Sequence, residues 1–202
     1  MLPQVLFEDD HLLAVVKPAG LPTANAARGM PSLFTIVRQA LPAGAFLGVV
    51  SRLDAAVSGV LVMAKTRLAA ADLSRQFRER VVEKTYDAVV EGRFPAPLGQ
   101  WVDWRDRIER LGQERRSRLL PAAKGVQAAA DTDEESEDDG EPDAGGECHV
   151  RARVIKRLGE VSLVELAPST GRRHQLRAQL AGRGCPIVGD KVYGARLPFP
   201  ST

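Results

Sequence analysis

The sequence predicts an α+β fold: a mixed, mostly antiparallel β-sheet core with flanking helices. Three observations predict it. Short Val- and Leu-rich runs recur along most of the chain, bounded by Gly, Pro or charged residues. Only three segments show helical spacing. The strands outnumber the helices and several follow one another directly, which favours antiparallel neighbours over βαβ crossovers. At 202 residues, 44% hydrophobic and 27% charged, the chain has the composition of an ordinary folded domain.

In chain order, the expected strands are Val5–Glu8, Leu12–Lys17, Phe46–Val50, Val60–Lys65, Thr85–Glu91, Val150–Leu158 and Val161–Ala167. Leu33, Ile36, Val37, Ala40 and Leu41 follow i, i+3, i+4, i+7, i+8 spacing, with Ser32 placed to cap a first helix. Ala69, Leu73 and Phe77 repeat every fourth residue behind Thr66. Leu176 and Leu180 do so behind Ser169-Thr170, so the third helix is expected to open on polar and basic residues, with Arg173 and Arg177 sharing a face and an N-terminus suited to phosphate.

Charge is unevenly spread. Residues 131–147 hold ten acids and no base; the chain's 26 acids less those ten leave 16 against 28 bases elsewhere, a net of +12. That surplus fits a polyanionic partner, above all nucleic acid, and equally a merely basic soluble enzyme. Residues 124–147 lack apolar periodicity and read as a disordered acidic insertion within one domain spanning 1–202. No run of eighteen apolar residues predicts a membrane span. MLPQVLFEDD lacks the apolar stretch of a signal peptide. Two cysteines, Cys148 and Cys185, make no disulfide framework and fit a reducing cytoplasm. His11, His149 and His174 are scattered without metal-ligand spacing, and His149 beside Cys148 reads as incidental. No phosphate-binding glycine loop appears, so no metal and no cofactor are expected.

Three patches carry candidate chemistry. In Ser51-Arg52-Leu53-Asp54-Ala55-Ala56-Val57-Ser58-Gly59, a carboxylate sits on a turn between two strands, held yet reachable; a turn Asp by itself is most often a turn former. In Lys84-Thr85-Tyr86-Asp87-Ala88-Val89-Val90, alternation puts Lys84, Tyr86, Ala88 and Val90 on one face, where a lone tyrosine usually packs at a core edge. In Ser169-Thr170-Gly171-Arg172-Arg173-His174-Gln175-Leu176-Arg177, a Thr-Gly turn precedes a basic helix start, either a solvated face or an anion site.

The order and spacing of these patches resemble the RluA-type pseudouridine synthases. VLFEDDHLLAVVKPAGLPT is similar to that family's E-D-x-x-L-x-V-x-K-P-A-G-L. SRLDAAVSGVLVMAKT is similar to H-R-L-D-x-x-T-S-G-L-L-x-x-A-K-T, and KTYDAVVEG to K-x-Y-x-A-x-V-x-G. STGRRHQLRAQLAGRGCPIVGDKVYG is similar to T-G-R-x-H-Q-I-R-x-H followed by G-x-P-I-x-G-D-x-x-Y-G. The resemblance covers residues 5 to 194 outside the acidic insertion. It implies the pseudouridine synthase catalytic fold, without an S4 module, and an isomerase acting on uridine in structured ribosomal or transfer RNA in the cytoplasm. RNA is the implied partner, with no membrane, no DNA and a monomeric chain.

Carried over residue by residue, the resemblance implies Asp54 as the essential carboxylate, Tyr86 as the tyrosine at the target base and Arg177 as the arginine pairing with the aspartate. Arg52 matches a residue that holds the flipped-out RNA. Arg172, Arg173, His174 and Gln175 fall on the RNA side of the cleft. Ser51, Val57 and Gln179 depart from the usual His, Thr and His. Ser51, Val57 and a chain that stops soon after Tyr193-Gly194 motivate the alternative of a catalytically inactive RNA-binding relative acting in RNA folding.

Overall fold

The computed structural model describes residues 2–27, 29–111, 116–120 and 146–199, with the side chains of Arg110 and Arg116 set aside. The chain divides into two compact units, Met1–Val82 and Glu83–Thr202. The expected insertion lies outside the described residues from 124 to 145. Gly146 and Glu147, expected within it, instead begin a strand.

The first unit holds a four-stranded antiparallel sheet of β1 (Val5–Glu8), β2 (Leu12–Lys17), β3 (Gly48–Val49) and β4 (Gly59–Ala64), in the order β1-β2-β4-β3. β1 turns into β2 at Asp9, whose carboxylate accepts the His11 and Leu12 N–H groups at 2.7 and 2.6 Å. Those two bonds hold the Asp9 carboxyl below its ordinary pKa. Strand alternation turns Leu13, Val15 and Lys17 of β2 inward, opposite Met63, Leu61 and Gly59 of β4. Two helices flank the sheet. α1 (Leu33–Ala40) starts at a Ser32–Thr35 capping box and buries Leu33 and Val37. α2 (Arg67–Arg78) starts at Thr66, whose hydroxyl accepts the Ala69 N–H at 3.2 Å. The core is Leu13, Val15, Leu33, Val37, Leu47, Leu61 and Met63.

The second unit holds a five-stranded antiparallel sheet: β5 (Tyr86–Glu91), β6 (Val102–Leu111), β7 (Arg116–Leu120), β8 (Gly146–Leu158) and β9 (Val161–Pro168), in the order β5-β9-β8-β6-β7. Its inner face carries Val90, Trp104, Val150, Ala152, Val154, Val164 and Leu166, closed by Phe94 and by Leu180 of α3 (Gln175–Ala181). The α+β, mostly antiparallel expectation is thus met. β6 and β7 were not expected. In β6, Val102, Trp104 and Ile108 alternate inward as a strand should, but Asp106 occupies the same face and breaks the apolar pattern. Its carboxylate is used there: it accepts the Gln179 amide at 2.7 Å and Arg183 at 3.1 Å, tying β6 to α3.

Candidate active site

Asp54 and Arg52 lie in the first unit, on the connection between β3 and β4. Both are exposed, while Leu53 between them packs against the core. Two buried polar side chains fix the backbone on either side of Asp54. The Thr23 hydroxyl donates to the Leu53 carbonyl at 2.9 Å and accepts the Leu53 N–H at 3.1 Å. The Lys17 ammonium donates to the carbonyls of Pro18, Leu21 and Ala55 at 3.0, 2.7 and 3.1 Å. The Gly20 N–H adds a second bond to Ala55 at 2.7 Å. Lys17 has no solvent exposure. Burial lowers its pKa, and the negative charge of Asp54 opposes that shift. Asp54 is therefore presented to solvent from a backbone that is pinned on both flanks.

The remaining expected residues lie in the second unit. Tyr86 opens β5, half-buried against the core, with Ala88 and Val90 on the same face as alternation predicts. Lys84, just before it, donates to the Thr170 carbonyl at 3.4 Å.

The Thr170–Gln175 turn differs from expectation. The helix starts at Gln175, not behind Ser169-Thr170, and its N-cap is His174 in the left-handed region at φ 55° with no side-chain cap bond. Arg172 and Arg173 thus lie in the turn, and Arg173 shares no helical face with Arg177. The reason is that the apparent cap residue is engaged elsewhere. The Thr170 hydroxyl accepts the His149 N–H at 2.9 Å and donates to Gln175 Oε1 at 2.8 Å. Gln175 Oε1 also accepts the Arg172 N–H at 3.2 Å, and its amide donates to the His149 carbonyl at 3.2 Å. Gln175 is buried and acts inside the turn. The Arg172 guanidinium lies against Gly146, where an added Cβ would fall 2.5 Å from Cζ.

Arg177 projects from α3 and forks onto Asp190, Nε–Oδ2 at 2.7 Å and Nη2–Oδ1 at 2.9 Å, the planar pairing that fixes a guanidinium in one orientation. It also stacks over the Tyr193 ring at 4.8 Å. The Tyr193 hydroxyl accepts the Ser117 N–H at 2.8 Å and sits 3.1 Å from His174 Nδ1. The Ser117 hydroxyl donates to the Arg173 carbonyl at 2.9 Å. Burial pushes the Tyr193 phenol above its ordinary pKa. Arg173, His174 and Arg177 are thereby tied through Tyr193 and Ser117 to β7.

Sequence reasoning missed Lys17, Thr23, Asp190 and Tyr193 as site-building residues, although all four stand in the quoted motifs. It also misjudged His149, whose ring nitrogens lie 2.8 Å from Ser169 Oγ and 2.7 Å from Asp103 Oδ1. Among the described residues, no three His, Cys, Asp or Glu side chains converge as a metal site requires.

Comparison with known proteins places this arrangement. A family model described as RNA pseudouridylate synthase matches residues 11–182. Ribosomal large subunit pseudouridine synthase C of Rickettsia conorii is 34% identical over 197 residues, covering 97% of this chain and 58% of the relative. Ribosomal large subunit pseudouridine synthase D of Nitrosomonas europaea is 32% identical over 218 residues, covering 98% of this chain and 52% of the relative. The chain thus spans a little over half the length of these curated relatives. Among solved structures, Human RNA Pseudouridylate Synthase Domain Containing 4 superposes with a TM-score of 0.72 at 25% identity, covering 98% of this chain and 73% of that one. Human RNA Pseudouridylate Synthase Domain Containing 1 gives the same TM-score at 25% identity, with 96% and 70% covered. By the span of that family match, and by antiparallel sheets whose motif residues it covers, this chain belongs to the RNA pseudouridylate synthase family.

Proposed function

We propose that this chain isomerises a uridine of structured ribosomal or transfer RNA to pseudouridine, with Asp54 as the essential carboxylate. The observation that carries the reading is Asp54 itself: an exposed acid in the family-matched span, on a connection locked by Lys17 and Thr23. A reacting carboxylate must be rigid to be oriented and open to be reached, and this one is both.

The reaction breaks the N1–C1′ bond, turns the base and joins C5 to C1′. The C5 proton is lost and N1 gains one, so atoms balance without a co-reactant. The uridine must first leave its stack, at a cost of a few kcal/mol, which phosphate contacts from Arg52, Arg172, Arg173 and His174 offset. Asp54 either attacks C1′ or takes the 2′ proton to give a glycal. Tyr86 borders the base and relays the C5 proton. Arg177, permanently charged and held in plane by Asp190 and Tyr193, is the family-matched arginine of the reaction. Gln175 shapes the turn that presents the arginines.

Asp54→Asn tests the assignment. The substitution keeps the size of the side chain and removes the charge that offsets the burial of Lys17, so it should cost about 1 kcal/mol or less and leave RNA affinity near wild type. It should abolish tritium release from RNA labelled at uridine C5. Retained turnover in that variant defeats the proposal.

A further inference from the structure

Ser169, His149 and Asp103 form a hydrogen-bonded row across the second sheet. His149 stands on β8, Asp103 on the neighbouring β6, and Ser169 directly after β9. Ser169 Oγ lies 2.8 Å from His149 Nδ1, and Asp103 Oδ1 lies 2.7 Å from Nε2. The His149 side chain is 29% exposed and that of Asp103 60%, so the row sits on the outer face of the sheet.

The backbone of the same histidine is directed at the same target. Its N–H donates to the Thr170 hydroxyl at 2.9 Å. Its carbonyl accepts the Ser169 N–H at 3.1 Å and the Gln175 amide at 3.2 Å. Every one of these bonds except that to Asp103 ends on residues 169–175, the turn that carries Arg172, Arg173 and His174 and leads into the helix of Arg177.

We propose that His149 is a positioning residue for RNA binding, a strut that holds the Ser169–Gln175 turn against β6 and β8. This rests on the function proposed above. The role is bridging, not proton transfer. A neutral ring donates from Nε2 to Asp103 and accepts the Ser169 hydroxyl at Nδ1. A protonated ring donates from both nitrogens, and the hydroxyl reverses. Arg105 stands opposite His149 in the ladder, with Glu147 and Arg151 two residues to either side, and this connectivity holds in either protonation state. A glutamine amide has the same pairing, one donor and one acceptor, and carries no charge.

The experiment compares His149→Ala, His149→Gln, Ser169→Ala and the double variant His149→Ala/Ser169→Ala. Two readouts are taken: amide exchange of residues 170–178 in the free protein, and KM and kcat for pseudouridine formation on total ribosomal RNA transcripts. His149→Ala should speed exchange in the turn and raise KM about fivefold, the loss of the one net hydrogen bond from ring to turn, with kcat within about twofold. His149→Gln should restore both to near wild type. The double variant should be no worse than His149→Ala, because both act through one strut. Unchanged exchange in His149→Ala, or His149→Gln as impaired as His149→Ala, overturns the proposal. Should His149→Ala fail to fold, faster exchange in Ser169→Ala supports the strut and unchanged exchange refutes it. A wild-type chain inactive on every RNA would sink the function alone, since exchange still judges the strut.

Discussion

Lys17→Met isolates the contribution of the buried ammonium beneath the Asp54 connection. Methionine nearly matches lysine in length, so packing is preserved while charge and donors are removed. Three bonds of 2.7–3.1 Å disappear, leaving the carbonyls of Pro18, Leu21 and Ala55 with a lost partner at a site of zero exposure. An unsatisfied buried polar group costs about 1–3 kcal/mol. Relief from burying the ammonium returns several kcal/mol, and the Gly20 N–H still serves Ala55. The Pro18 and Leu21 carbonyls together cost about 2–6 kcal/mol and the relief offsets part of it, so the net destabilisation is at most about 3 kcal/mol. For a chain of this size, 3 kcal/mol lowers Tm by roughly 6–12 °C. Turnover should fall further than stability, because Ala55 directly follows the proposed reacting carboxylate. Linkage gives the sign with pH. Lys17 has a folded pKa below its ordinary 10.5, so between those values the unfolded chain binds the extra proton and stability rises with pH. Below the folded pKa the group is protonated in both states and its contribution is flat. Thermal melts of wild type and variant across this alkaline window, with turnover at pH 7.5, check both statements. A variant that melts within about 1 °C of wild type and keeps full turnover refutes the view that Lys17 builds the site.

Tyr193→Phe orphans the buried Ser117 N–H and removes the hydroxyl beside His174 Nδ1; a loss of about 1–3 kcal/mol is expected in denaturant melts. Because the Tyr193 pKa is raised above its ordinary 10.0, wild type should also lose stability above pH 10 in a way the variant does not. Gly182→Ala places a Cβ against Leu119 Cδ1, so the Leu119 side chain must change rotamer, at about 1 kcal/mol by the same melts. Cys148 is buried, with its thiol pushed up from 9.0 to about 12 chiefly by desolvation; a thiol reagent at pH 8 should label it only at the rate of opening.

The sequence is legible where one face is apolar and the ends carry ordinary signals. β1, β2 and the caps at Ser32 and Thr66 stand where periodicity and capping rules put them. It misleads where a polar residue faces inward. Asp106 hides β6 because its burial depends on Gln179 and Arg183, more than seventy residues away. Ser169 and Thr170 look like helix caps because a cap and a tertiary clamp use the same hydroxyl; only His149 and Gln175 decide between them. The reach of the Arg177 guanidinium toward Asp190 is likewise a tertiary fact, although thirteen residues separate them.

The two segments that carry the proposed chemistry share one building rule. Each is irregular backbone, which a ladder cannot hold, and each is instead held by buried polar side chains that bond to main-chain atoms: Lys17 and Thr23 around Asp54, Thr170 and Gln175 around the arginines. Hydrophobic contacts would bury these segments without fixing their orientation, because apolar packing is not directional. Hydrogen bonds from buried donors are directional, and an alternative loop placement would leave those donors unsatisfied at about 1–3 kcal/mol each. The Lys17 bond to Ala55 and the two Thr23 bonds to Leu53 together make a misplaced Asp54 connection rare at equilibrium. The burial of a lysine on an otherwise apolar strand face is therefore explained by the precision it imposes on the backbone beside the acid.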